Sequence, residues 1–109
     1  FERAIDIAVG PYEEIVDFMK AYPEKIDQAF ATLSYFDTMN LVSMTRVEKA
    51  YYSVGLWDQI CPPSTVYASY NHLPAAVDKS IEIYRYNGHE GGGALHEQRL
   101  LKWLRGALD

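Results

Sequence analysis

The chain has 109 residues, enough for one domain or part of one and for a modest hydrophobic core. Hydrophobic residues make up 49% and aromatic residues 14%, which excludes a disordered chain. Ten basic against fifteen acidic residues give a net charge of −5 without any basic cluster, so no nucleic acid partner is expected, and the lack of a long apolar run argues against a membrane span.

The first segment, Phe1 to Val9, has apolar residues at Phe1, Ile5, Ala8 and Val9 and reads as a short helix that Gly10-Pro11 breaks. Tyr12 to Tyr22 follows as an amphipathic helix. Ile15, Phe18, Met19 and Tyr22 form its stripe, and Glu13, Glu14 and Asp17 suit its amino-terminal dipole. Pro23 restarts the chain, and Ile26, Ala29, Phe30 and Leu33 define the next apolar face. Asp37 reads as the N-cap of a short helical piece through Ser43.

The period then changes. Val47 to Leu56 is aromatic and β-branched, which predicts a strand. Gly55 loosens its end, Asp58 lies just beyond its carboxyl end, and Pro62-Pro63 lets Ser64 start a helix. That helix runs to Leu73 with Val66, Tyr67, Tyr70 and Leu73 inward. Lys79 to Tyr86 alternates and predicts a second strand, with Ile81, Ile83 and Arg85 on one face and Tyr84 and Tyr86 on the other. Asn87 to Gly93 is a glycine-rich loop. Ala94 to Leu108 is a final helix with Leu100, Leu101, Leu104 and Leu108 buried. The expected fold is α/β, in the order helix-helix-strand-helix-strand-helix, with the strands a parallel pair. Two strands make a poor sheet, and an open strand edge invites another chain.

In parallel neighbours both strands end on one side, so Asp58 and His89 can meet there although thirty residues separate them. Either residue alone is ordinary: an aspartate after a strand caps or turns, and a histidine in a glycine loop is often only that. Together, an acid fixes the imidazole tautomer and frees the other nitrogen as a base. The order acid then histidine ends the sequence Ser…Asp…His of α/β-hydrolases.

No serine here suits the nucleophile. The elbow needs Gly-x-Ser-x-Gly, and of Ser34, Ser43, Ser53, Ser64, Ser69 and Ser80 only Ser53 has a glycine two places on. Tyr51 stands where the first glycine belongs, and Ser53 lies within the strand. Cys61 reads as a structural thiol. As the sole cysteine it excludes an internal disulfide and suits a reducing cytosol. His72, His89 and His96 lack metal-ligand spacing, so no zinc site is expected. Gly91-Gly92-Gly93 could receive an anion but reads better as a tight turn after His89. Tyr67, Trp57 and Tyr86 are candidates to line a substrate pocket.

Three blocks carry a family resemblance: Leu33-Ser34-Tyr35-Phe36-Asp37, the run from Ser53 through Asp58-Gln59-Ile60-Cys61-Pro62-Pro63 to Asn71, and Asn87-Gly88-His89-Glu90-Gly91-Gly92-Gly93. They resemble the carboxyl-terminal portion of the acetyl xylan esterase and cephalosporin C deacetylase family, carbohydrate esterase family seven, with an α/β-hydrolase fold. The resemblance covers essentially the whole chain. It implies that residues 1–109 are one partial α/β-hydrolase domain and that Asp58 and His89 are the triad acid and base. It also implies hydrolysis of acetyl esters on xylo-oligosaccharides and cephalosporin-type compounds without a cofactor. A cytoplasmic homo-oligomer is expected, or pairing with the amino-terminal portion that would carry the serine. The opening residue, Phe1 rather than methionine, adds to the expectation of a piece of a longer protein, inactive alone. The alternative is a non-catalytic assembly module that oligomerises through its open strand edge.

Overall fold

A computed structural model describes residues 1–7 and 9–108. Ala8, counted on the apolar side of the first helix, lies outside them.

Four helices precede the sheet: α1 (Glu2–Ile7), α2 (Tyr12–Ala21), α3 (Ile26–Ser34) and α4 (Thr38–Leu41). A 3-10 turn at Pro23–Lys25 leads into α3 and another at Val42–Met44 follows α4. The Asp37 side chain accepts the Met39 N–H at 3.0 Å, so it caps α4 as its residue type predicts. Strand β1 (Lys49–Gly55), helix α5 (Pro63–His72), strand β2 (Asp78–Tyr84) and helix α6 (Gly93–Leu108) complete the chain. Pro63 occupies the first turn of α5, where its missing N–H costs nothing.

The two strands pair in parallel from Lys49 opposite Asp78 to Gly55 opposite Tyr84. This is the α/β arrangement expected from the strand–helix–strand pattern. The register sorts the side chains into two faces. Tyr52, Val54, Ile81 and Ile83 share one face. There Tyr52 packs edge-on against Tyr70 of α5 and bonds Ser69 Oγ through its hydroxyl at 3.0 Å. Tyr51, Ser53, Ser80, Glu82 and Tyr84 share the other face, toward α6.

Two expectations need correction. Helix α6 does not bury its leucines: Leu101, Leu104 and Leu108 are exposed, and His96, Arg99 and Trp103 face the sheet instead. The reason is the sheet itself, whose α6 face carries serines, a glutamate and tyrosines that leucines cannot satisfy. Ile83 is 53% exposed, whereas its partner Val54 is 1% exposed, and α5 meets β2 near its start, where the Tyr70 hydroxyl donates to Lys79 O at 3.4 Å. Tyr86 and Arg85 lie beyond the end of β2 and are exposed, so they belong to neither sheet face.

Among the described residues few side chains are buried: Ala4 and Ile5 of α1, Met19 of α2, Val54, Pro62, Ser69, Leu73, Val77 and Tyr84, together with Gly55 and Gly92. The Phe18 and Tyr22 end of the α2 stripe stays exposed, and no residue of α3 is buried. The molecule is a slab of 52 × 31 × 16 Å with a radius of gyration of 16.0 Å. A compact domain of this length has a radius of about 13 Å. Among the described residues no helix is long and apolar enough to cross a membrane.

Candidate active site

The site is assembled by backbone bonds between the two strand exits. Leu56 N donates to Tyr84 O at 3.0 Å, and Trp57 N donates to Asn87 O at 3.0 Å. The ladder therefore runs two residues past Gly55, into both loops. Asp58 follows the last rung by one residue and His89 by two, so their side chains arrive together. His89 Nδ1 lies 3.0 Å from Asp58 Oδ2.

Gly55 has a reason stronger than the loosening expected of it. A Cβ there would overlap Gly88 O and stand 2.6 Å from Asn87 O. The His89 loop crosses directly over this position, and only a glycine leaves it room.

Asp58 is held on three sides. One carboxylate oxygen, Oδ1, accepts the backbone N–H of Ile60 and of Cys61, each at 2.8 Å. The other faces the imidazole. Three donors match an ionised carboxylate, which only accepts. The His89 Nδ1 must then carry the proton and donate it, leaving Nε2 as a free base. The asymmetry of exposure fits these roles: the Asp58 side chain is 9% exposed and that of His89 55%. The turn that carries Ile60 is itself tied down, because Val9 N donates to Gln59 O at 3.0 Å.

Glu90 was not singled out from the sequence, yet it shapes the histidine loop. Its carboxylate accepts Asn87 Nδ2 at 2.7 Å and Gly88 N at 3.0 Å, bracketing His89. These bonds, led by that from Asn87, hold its carboxyl below the ordinary value of 4.5. An acid immediately after a histidine in a glycine loop was the available signal. Gly91, Gly92 and Gly93 have φ of 53°, 96° and 50°, all left-handed, so they serve the tight turn into α6.

The other candidates separate from the pair. Trp57 and Tyr86 sit at the two strand exits, 70% and 77% exposed, while Tyr67 is half-buried on α5. Cys61 is partly buried, with its sulfur 3.9 Å from the Tyr12 hydroxyl. Ser34 donates to the Ala31 carbonyl of its own helix and Ser43 to the Asn40 carbonyl of α4, Ser64 lies 3.4 Å from Arg3 Nε, and Ser69 is hydrogen-bonded to Tyr52. Among the described residues no serine hydroxyl bonds His89. His72 bonds Ala68 O and His96 bonds Tyr84, so the three histidines occupy three places. A cleft of about 750 Å³ between α2 and α3, lined by Ile15, Phe18, Ala29 and Leu33, shares no residue with the pair.

A parallel strand pair with an acid and a histidine joined at its carboxyl edge defines a part of an α/β-hydrolase fold. The family model described as acetyl xylan esterase (AXE1) matches residues 1–107. Among solved structures, an acetyl xylan esterase from Paenibacillus sp. R4 is 38% identical, with a TM-score of 0.86 over 96% of this chain and 33% of that one. Acetyl xylan esterase 1 from Thermoanaerobacterium sp. JW/SL YS485 is 32% identical, with a TM-score of 0.76 over 92% of this chain and 32% of that one. The chain belongs to the acetyl xylan esterase family. It spans about a third of the length of these solved relatives.

Proposed function

We propose that this chain supplies the acid and base of a serine esterase that removes acetyl groups from xylo-oligosaccharides. Acetylated cephalosporin-type compounds are a second substrate class, and the serine comes from outside residues 1–109. The observation that carries this is the Asp58–His89 bond at the shared strand edge, with the acid enclosed by three donors and the side chain of the base 55% exposed.

The serine Oγ attacks the acetyl carbonyl carbon while its proton passes to His89 Nε2. The resulting imidazolium is stabilised by Asp58. The tetrahedral intermediate collapses, the bond from carbonyl carbon to sugar oxygen breaks, and His89 returns the proton to that oxygen. Water then hydrolyses the acetyl-enzyme by the same proton path, releasing acetate.

The amount of exposed surface supports a missing companion layer. The chain exposes 7698 Å². A folded monomer of this mass exposes about 6,100 Å², so the excess is about 1,600 Å². A specific interface takes about 800 Å² from each partner, half of that excess. Alone, the chain is expected to be inactive, and the whole protein to be a cytoplasmic homo-oligomer.

The test is His89→Ala in the complete polypeptide, assayed by acetate release. Turnover falls at least about 10⁴-fold. Near-wild-type turnover overturns the assignment. Intact-mass analysis after fluorophosphonate treatment checks the nucleophile: residues 1–109 remain unlabelled, and an adduct on any of their six serines contradicts its placement elsewhere.

A further inference from the structure

Tyr84 grips the histidine loop at both ends. It closes β2 and is 6% exposed. Its carbonyl accepts Leu56 N at 3.0 Å and Asn87 N at 3.4 Å, so its backbone ties the start of the loop to the exit of β1. Its ring supports the other end. A Cβ on Gly92 would overlap Cε2 and Cζ of the ring, so the Gly92 backbone lies against the hydroxyl end of Tyr84. The Gly92 carbonyl accepts His96 N–H at 3.3 Å, and His96 Nδ1 meets the Tyr84 hydroxyl at 3.2 Å. Gly92, Tyr84 and His96 thus close a triangle.

The ring is also fixed from its sides. The His96 imidazole stands edge-on to it, with centroids 5.7 Å apart. The Arg99 guanidinium lies 5.6 Å from the ring centroid while bonding Glu82 at 2.6 Å. His96 is stacked on Tyr51, which stacks in turn on Trp103. The loop above is the opposite: its end is three consecutive left-handed glycines, the residue type with the most backbone freedom to lose. A soft loop carrying a base needs a rigid seat, because a displacement of about 1 Å in a catalytic group costs about 10²-fold in rate.

We propose that the Tyr84 side chain, locked by His96, is the positioning residue that seats the loop and holds His89 against Asp58. This rests on the reading of Asp58 and His89 as acid and base, so the test uses one readout that does not need turnover. The proton on His89 Nδ1, shared with Asp58, gives a downfield proton NMR signal. In the complete polypeptide, Tyr84→Leu broadens or abolishes that signal through faster exchange. It also lowers kcat about 10²-fold with KM within about twofold, and it moves the acidic limb of the pH–rate profile. Tyr84→Phe keeps the ring under Gly92 and rescues kcat to within about tenfold of wild type, the scale of one neutral hydrogen bond. An unchanged signal and kcat in Tyr84→Leu overturns the inference. So does an equal loss in the Phe and Leu variants. If Tyr84→Leu fails to fold, Tyr84→Phe and His96→Leu decide the matter. Each removes the same hydrogen bond, so the double variant falls no further than the worse single one, and additive losses overturn the coupling. A His89→Ala enzyme that retains turnover overturns the acid–base reading instead, and the NMR result then stands by itself.

Discussion

Replacing Asp58 by asparagine separates charge and tautomer from mere shape. The side chain must satisfy Ile60 N and Cys61 N at 2.8 Å each through one atom, and His89 Nδ1 at 3.0 Å through the other. Asparagine offers one oxygen and one NH₂. If the oxygen stays with the two backbone donors, the amide NH₂ points at the histidine, two donors face one another, and the imidazole must move its proton to Nε2. If the amide flips, two enclosed backbone N–H groups lose their acceptor, at about 1–3 kcal/mol each. The first arrangement therefore wins, and it removes the lone pair that takes the serine proton. Loss of the correct tautomer costs about 10⁴-fold in kcat where the same geometry has been tested in a serine protease. The expected result for Asp58→Asn is thus a fall of about 10⁴-fold in acetate release with little change in thermal stability. Asp58→Ala, which orphans both backbone donors, adds a stability loss of about 2–6 kcal/mol in denaturant unfolding. An asparagine variant within tenfold of wild-type kcat would refute the tautomer assignment.

Further outcomes follow from the same geometry. Gly55→Ala drives a methyl into Gly88 O and Asn87 O, and is expected to cost about 1–3 kcal/mol and most of the activity together, read by urea unfolding beside the rate assay. Unchanged stability would mean that the loop does not cross there. Glu90 has its carboxyl pK lowered by Asn87, so its charged form favours the ordered loop above the ordinary 4.5, and this contribution disappears as pH falls through the lower folded value. Hydrogen exchange at Gly88 N should accelerate over that acid range in the wild type and be fast throughout in Glu90→Gln; equal protection in both contradicts the role. Ser69→Ala removes the partner of the Tyr52 hydroxyl beneath β1 and should cost about 1 kcal/mol by thermal unfolding, with no change in kcat.

The pairing of Asp58 with His89 was legible because it depends on chain order and strand direction alone. A strand–helix–strand unit of this length makes parallel neighbours, and parallel neighbours end on one side. The family blocks were legible for a different reason, since they are runs of specific residues. The helix stripes were read less well. Periodicity finds which residues share a face, but not what that face meets. On α6 the leucine stripe promised burial, whereas the polar α6 side of the sheet selected His96, Arg99 and Trp103.

The sequence by itself determined the α/β order, the parallel pair and the family, because these rest on local pattern and residue identity. Only the tertiary structure decided why Gly55 must be glycine, how Glu90 brackets His89, and that Tyr84 lies under Gly92. Each of these is a contact between a strand exit and a loop that crosses it. No periodicity encodes such a crossing: it is set by the register of β1 against β2 and by the turn the loop must make into α6.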